Sequence, residues 1–243
     1  MNAVVIFESL RRHFTSILFI ALAGSTVVGG MIAAHIEPGS FWTSLVFLVA
    51  IVVGAEVLGQ EFSTGTLQLI LTKPINRSVY AISRVAGAVL TTWIVAAAAL
   101  MAEIVARLYW VGGRDIDRAA IAALNVSLEI VLVCSMLAFF GSFLRSYFNV
   151  AAYFLAQVVL QGLLTVLVVF RNAKSGFIGW LGGLIASNPW VGALLSWISG
   201  NLFPDRPARL DPHWMLLVVC NSVLLLIAAS LIYRRREVPY GAD

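Results

Sequence analysis

The chain has 243 residues, of which 60% are hydrophobic and only 12% are charged. A soluble domain of this size needs far more charge to cover its surface, so the composition excludes one and indicates a membrane protein with several spans. The formal net charge of +4 does not indicate nucleic-acid binding, because the basic residues cluster at the ends of apolar segments and not in a patch with exposed aromatics.

Apolar segments of about 20 residues, the length that crosses the hydrocarbon core of a bilayer, recur along the chain. The six predicted membrane-spanning helices cover residues 14–34, 41–59, 85–109, 118–143, 150–170 and 214–233. Arg11 and Arg12 precede the first segment, and it lacks a convincing cleavage site, which indicates a retained signal-anchor. The sequence therefore predicts an all-α polytopic membrane protein with one transmembrane domain over 1–243.

Lys and Arg residues predict the orientation, because short cytoplasmic loops carry an excess of both. With the N-terminus in the cytoplasm, most basic residues of the short loops lie on that side. The cytoplasmic set is Arg11, Arg12, Lys73, Arg77, Arg84, Arg145, Arg234, Arg235 and Arg236. The prediction is six spans with both termini in the cytoplasm, where 234–243 forms a tail.

The segment 171–213, before the sixth span, is predicted to lie on the outer face. Its part 176–200 is strongly apolar and competes as a seventh span. Asn188-Pro189 interrupts its middle, and several glycines punctuate it, which favours a broken helix pair that is re-entrant or interfacial. A seventh span would also move the basic cluster 234–236 to the outside.

Residues 60–84 form a polar, turn-rich stretch between the second and third spans. Thr64 or Thr66 can cap a short helix that Pro74 ends, and Asn76 can cap the next helix, which continues into the third span. The short helix takes its apolar content from Leu67, Leu69, Ile70 and Leu71. Because a helix this short is unstable alone in water, it needs the membrane, its own bundle or a partner protein. The residues alone leave open a plain interfacial loop and a contact for a soluble partner.

The spacing Glu-x-x-x-Gly-Thr-Leu-x-x-x-Leu-x-x-Pro-Ile-x-Arg in this stretch resembles the first cytoplasmic loop of type-2 ATP-binding-cassette transporter permeases. The residues that carry it are Glu61, Gly65, Thr66, Leu67, Leu71, Pro74, Ile75 and Arg77. The N-terminal residues 7–12 are similar to that family's interfacial helix, and the layout of six spans with an apolar outer segment is similar too. Gln68 is a departure, because family members often carry an acidic residue there.

The resemblance implies a permease that exports its substrate, as most members of that family do. It also implies that the chain is not an enzyme and binds no cofactor itself. ATP and Mg²⁺ would be held and hydrolysed by separate nucleotide-binding ATPase subunits, with the short helix docked in a groove of the ATPase. It also implies a second permease (another copy or a homologue), surrounding membrane lipids, and a bacterial-type cytoplasmic (inner) membrane. The ATPase-coupling residues would be Glu61, Gly65, Thr66, Leu67, Leu69, Leu71, Pro74 and Arg77.

Polar side chains within or near the spans are the other candidates, because a charge at the bilayer centre costs about 2.5–3.5 kcal/mol. Glu103 and Arg107 are spaced to pair within one helix, near its outer end. Candidates for a translocation path are Glu56, Glu129, Gln157 and Gln161, and hydrogen bonding between helices is the alternative role for such residues. A stripe of small residues in the first span predicts close helix packing, within the bundle or across a dimer, at Ala21, Ser25, Gly29 and Ala33.

Motifs for chemistry are missing from the sequence, which contains no G-x-x-x-x-G-K-[ST], no H-E-x-x-H and no G-x-S-x-G. His13, His35 and His213 are isolated, which favours a membrane interface over a metal site for each. Two alternatives to an ATP-driven permease stay open: a secondary transporter, and a non-transporting membrane anchor or assembly subunit. The small chain without an internal repeat argues against the first, and an anchor would need no coupling segment.

Overall fold

The computed structural model describes residues 2–36, 40–58, 76–144, 148–159, 190 and 207–235. Within these residues the chain is all-helical and contains no strand, which confirms the predicted class. The helices are α1 (Ala3–Phe14), α2 (Ile17–Ala33), α3 (Ser40–Ala55), α4 (Arg77–Trp110), α5 (Ile116–Gly141), α6 (Phe148–Val159) and α7 (Pro212–Arg235). The short helix expected within 60–74, nearly all of the outer segment 171–206 and the tail from 236 lie outside the described residues.

Three of the described helices, α4, α5 and α7, are long and apolar enough to cross a membrane. The bent pair α1–α2 raises that number to four if it counts as one span. The apolar parts of α3 and α6 are shorter, over Phe41–Ala55 and Phe148–Val159. These helices are consistent with a multi-pass membrane protein, while the number of six spans stays a prediction.

The helix α4 begins earlier than the predicted third span, at Arg77, and has 34 residues. The Asn76 side chain caps it, as predicted, by accepting a 3.0 Å hydrogen bond from the backbone N–H of Ser78. At 1.5 Å per residue the helix is roughly 50 Å long, well beyond the thickness of the hydrocarbon core. A helix of this length that crossed a membrane would extend past the apolar layer.

The N-terminal helix α1 is separate from α2 and makes an angle of 80° with it. Asn2 caps α1 by accepting a hydrogen bond from the N–H of Val4. The helix buries Ser9 and His13 on one face and exposes apolar side chains such as Phe7 on another. A helix over these residues agrees with the sequence expectation, while its place at the membrane interface stays a prediction.

The core is formed where α3, α4 and α5 pack on one another, with α2 against α3 and α4 and with α7 against α4 and α5. Its largest fully buried side chains include Trp42, Phe19 and Leu58. The helices α2 and α4 approach closely at Gly30, where an added Cβ would lie 2.3 Å from the backbone oxygen of Ala99 in α4.

The small-residue stripe predicted for the first span is buried in part within this chain. Gly29 and Ala33 are buried, but Ala21 and Ser25 are exposed, and the buried face runs instead through Thr26. The close contact with α4 at Gly30 is one position away from the predicted stripe.

The chain divides into two compact units, Met1–Val150 with Pro207–Asp243, and Ala151–Arg206. The first unit contains α1 to α5 and α7. The described part of the second consists of most of α6 and Trp190, and there the rings of Tyr153 and Phe154 meet edge to face at 5.6 Å.

Candidate functional site beside segment 59–75

The segment 59–75 connects the end of α3 to the start of α4. Most predicted coupling residues lie in it, outside the described residues: Glu61, Gly65, Thr66, Leu67, Leu69, Leu71 and Pro74. Arg77 is described, as the half-buried first residue of α4. The described residues on both sides of this segment therefore form the candidate site.

Buried side chains satisfy the last carbonyls of α3. A helix leaves its final carbonyl groups without intrahelical partners, and buried ones need an external donor. Arg84 of α4, 6% exposed, donates from Nη2 to the backbone oxygen of Glu56 at 3.3 Å. Asn149, fully buried, donates from Nδ2 to the backbone oxygen of Ala55 at 3.1 Å. The end of α3 is thereby tied to the first turns of α4 and to the start of α6.

The Glu56 carboxylate faces α1. Its Oε2 lies 3.9 Å from Nε of Arg12 and 3.8 Å from Nδ1 of His13. These distances exceed those of hydrogen bonds, and Arg12 is half exposed, so the attraction is screened by solvent. We call Arg12, His13, Glu56 and Arg84 the Glu56 cluster.

His13 is buried within this cluster at 5% exposure, while its place at a membrane interface stays a prediction. Burial lowers the pKa of His13 from its ordinary 6.5 to about 4, and the charges of Arg84 and Arg12 act in the same direction. The imidazole is therefore neutral at neutral pH. Its contact with Glu56 is then that of a dipole with a carboxylate and not an ion pair.

The helix α1 also lies directly on the first turns of α4. The backbone N–H of Asn2 donates to Oγ of Ser83 at 2.8 Å. At Gly87, one turn further along, an added Cβ would lie 2.8 Å from Cβ of Ser9, so the two helices are in close contact. The elements on both sides of segment 59–75 and the N-terminal helix thus form one packed group.

A second polar cluster lies near the other end of α4, and it confirms the predicted pairing of Glu103 with Arg107. Nε of Arg107 donates to Oε1 of Glu103 at 2.8 Å, and both side chains are almost fully buried. Sequence reasoning missed the outside partners. Trp42 of α3 donates from Nε1 to Oε2 of Glu103 at 2.6 Å, and Arg107 donates from Nη2 to the backbone oxygen of Ala33 at 2.9 Å. We call these four residues the Glu103 cluster.

The candidates for a translocation path occupy separate elements. Glu56 follows α3, half-buried Glu129 lies in α5, and half-buried Gln157 lies in α6. Gln161 is outside the described residues. The predicted set thus contains one residue, Glu56, that the structure places beside the coupling segment.

Sequence reasoning also missed Arg84 and Asn149 as functional candidates. Arg84 was used only to orient the chain, although it lies at helical spacing from Tyr80, Ala81 and Ala88, which are all buried. That spacing could have indicated an arginine on a packed face. No local sequence pattern predicts the hydrogen bonds of Asn149, because its acceptors are 94 and 12 residues away in the sequence.

A scan against models of protein families finds no match, and a search of the curated proteins finds none either. Across the described ranges, no three His, Cys, Asp or Glu side chains are grouped so that they could hold a metal ion. The functional interpretation therefore depends on the chain's own residues and contacts.

Proposed function

We propose that this chain is the membrane-spanning permease subunit of an ATP-driven transporter of the type-2 ATP-binding-cassette kind, and that it exports its substrate. Separate nucleotide-binding subunits hold ATP and Mg²⁺ and perform the hydrolysis, and a second permease completes the assembly. Segment 59–75 is the contact with the ATPase, through Leu67, Leu69 and Leu71.

The observation that carries this proposal is the link from Arg84 to the backbone of Glu56. A segment that receives a push from a partner protein moves a helix bundle only if its two flanks are held together. The hydrogen bond from Arg84 joins the end of α3 to α4, and Asn149 adds a second hold on α3 at Ala55. The two helices that flank the motif-bearing segment are thus held together by hydrogen bonds between buried groups. This supports a role of the segment in transmitting force from a partner protein to the helix bundle.

The length of α4 suggests how the push would spread. This single helix runs from Arg84, which is hydrogen-bonded to the end of α3, to the Glu103 cluster. At that cluster α2 and α3 are hydrogen-bonded to α4 through Ala33 and Trp42. Because both ends of α4 are held to its neighbours by buried polar contacts, displacement at one end would move α2, α3 and α4 together. The helices outside this group would then change their positions relative to it and open the path.

The proposed orientation has both termini in the cytoplasm of a bacterial-type cell, with six spans in its inner membrane. The Glu56 cluster then lies on the cytoplasmic side with two arginines, which agrees with the excess of basic residues expected there. A secondary transporter and a non-transporting anchor subunit are the alternatives that the following experiment separates.

The test is co-purification of the chain, from cells that express it with its genomic neighbours, with a protein that has a P-loop. Two variants, Gly65→Asp and Leu69→Asp, place a charge in the proposed contact and are expected to release the ATPase. Leu210→Asp is the matched control, because Leu210 is exposed and lies just before α7, at the opposite end of the bundle in the proposed topology. Retention of the ATPase by both loop variants, or loss from the Leu210 variant alone, would contradict the proposal.

A further inference from the structure

Asn149 lies at the start of α6, and its side chain is completely buried. Its Oδ1 accepts a 2.8 Å hydrogen bond from the backbone N–H of Val150. A helix leaves its first N–H groups without partners inside the helix, so this bond uses one of them. The side-chain amide of Asn149 is thereby fixed to the first turn of α6.

The Nδ2 group of Asn149 donates to two other helices. It lies 3.1 Å from the backbone oxygen of Ala55, the last residue of α3, and 3.4 Å from the backbone oxygen of Leu137 in α5. An amide nitrogen carries two hydrogens, so it can serve both acceptors. One buried side chain therefore joins the end of α3, the last turns of α5 and the first turn of α6.

The helices α3 and α5 also touch at the level of these bonds. A Cβ added at Gly54 would lie 2.6 Å from Cδ1 of Leu137, so the leucine side chain packs closely against the glycine. Leu137 thus contacts α3 with its side chain, while its backbone oxygen accepts from Asn149. We call Gly54, Ala55, Leu137 and Asn149 the Asn149 junction.

The Asn149 junction lies at the end of α3 that leads into segment 59–75. The next residue, Glu56, has its backbone oxygen bound by Arg84 of α4. Two successive carbonyl groups at the end of α3 are therefore held by side chains from two different helices. A displacement of this end would pass to α4 through Arg84, and to α5 and α6 through Asn149.

We propose that Asn149 is a positioning residue that makes the start of α6 follow the end of α3 when a partner protein moves segment 59–75. This inference rests on the proposed function. The helix α6 contains Gln157, one of the path candidates, so the junction connects the coupling segment to the proposed path. Because Asn149 binds the first turn of α6, the rest of that helix can tilt about this turn.

Asn125 supplies the comparison within the same molecule. It is also a buried asparagine, 1% exposed, and its Nδ2 donates a 2.9 Å hydrogen bond to the backbone oxygen of Pro207. This bond joins α5 to the chain before α7 and does not involve the end of α3. Replacement of either asparagine by alanine removes a buried hydrogen bond and destabilises the protein. The loss of Asn149 alone disconnects α6 from α3.

The experiment uses the full chain in its assembly with the ATPase and follows a cysteine introduced by Gln157→Cys. The rate at which a charged maleimide modifies position 157 is measured by peptide mass spectrometry, with ADP and after trapping with ATP and vanadate. We expect the rates in the two nucleotide states to differ about fivefold, which corresponds to a coupling of about 1 kcal/mol between the two sites. Asn149→Ala should abolish this difference, and Asn125→Ala should keep it.

Asn149→Ser is a milder variant that decides the matter if Asn149→Ala fails to fold. Its hydroxyl has a single hydrogen and cannot serve both Ala55 and Leu137, so the difference between the nucleotide states should shrink. A full difference in the Asn149 variants would overturn the inference and leave the proposed function standing. The same follows from equal rates in the parent assembly, or from an equal loss in Asn125→Ala. A parent chain that binds no ATPase would overturn the proposed function and this inference with it.

Discussion

Arg107 donates a 2.8 Å hydrogen bond to the carboxylate of Glu103, one turn earlier in α4, and both side chains are almost completely buried. Each member also contacts another helix, Glu103 through Trp42 of α3 and Arg107 through the last turn of α2 at Ala33. A buried ion pair is tolerated only when its remaining donors and acceptors are satisfied. Here the partners are Trp42 of α3, Ala33 of α2 and the backbone oxygen of Arg114 in the turn after α4. The pair therefore works as a junction of three helices.

Replacement of Glu103 by Gln is expected to destabilise the protein by about 3 kcal/mol, because it leaves the Arg107 charge buried without a counter-charge. The measurement is the free energy of unfolding in detergent micelles. Arg118→Gln is the control, since the side chain of Arg118 is 74% exposed and its contact with Asp115 is expected to contribute little. An equal loss of unfolding free energy in the two variants would show that burial of the pair adds nothing to its effect on stability.

Replacement of Gly30 by Ala tests the close approach of α2 to α4. The new Cβ would lie 2.3 Å from the backbone oxygen of Ala99, so the helices must separate, at a cost of about 1–3 kcal/mol. Gly24 lies in the same helix with nothing within 4 Å of an added Cβ, and Gly24→Ala should be neutral or slightly stabilising. The midpoint of thermal unfolding distinguishes them, and a harmless Gly30→Ala would refute the packing described here.

The buried His13 should make stability depend on pH. The folded protein holds the pKa of His13 at about 4, against 6.5 for an exposed histidine. Between these values the unfolded chain binds more protons, so the free energy of unfolding rises with pH. The contribution of His13 to the free energy of unfolding is fully present above about pH 6.5. It falls by up to about 3 kcal/mol as the pH drops to 4.

Denaturant unfolding at pH 4.5 and pH 7 measures this effect. The groups that face the imidazole are Arg12, Arg84 and Glu56. His13→Gln should reduce the difference between the two pH values, because the variant has no imidazole to protonate. His213→Gln, at an exposed position, should keep the difference of the parent protein. An unchanged pH dependence in the His13 variant would assign the effect to other groups.

The topology prediction concerns the C-terminus. Six spans with a cytoplasmic N-terminus place a tag after Asp243 inside the cell, protected from reagents that do not cross the membrane. The measurement is labelling of intact and permeabilised cells. Labelling in intact cells would indicate that 176–200 forms a seventh span.

Much of the local structure was predictable from sequence, because it depends on neighbours along the chain. The Asn76 cap and the pairing of Glu103 with Arg107 follow from spacings of two and four residues, and both are found. The start of α4 was placed correctly by its cap, while the hydropathy of the third span alone would have placed it later.

The tertiary contacts were not predictable in the same way. Trp42 meets Glu103 across 61 residues, and Arg107 meets Ala33 across 74, so no local pattern reveals either contact. Arg84 and His13 were judged by their types, as an orientation marker and an interface residue, and both are buried. The coupling segment itself was singled out by its motif, and its role stays a prediction.

The most direct test of that role is photo-crosslinking from Leu69 in the working assembly. A photoreactive amino acid at Leu69 is expected to attach to a P-loop ATPase, while the same amino acid at Leu210 attaches to no ATPase. Crosslinks from Leu69 to lipid alone, in an assembly that still hydrolyses ATP, would contradict the account.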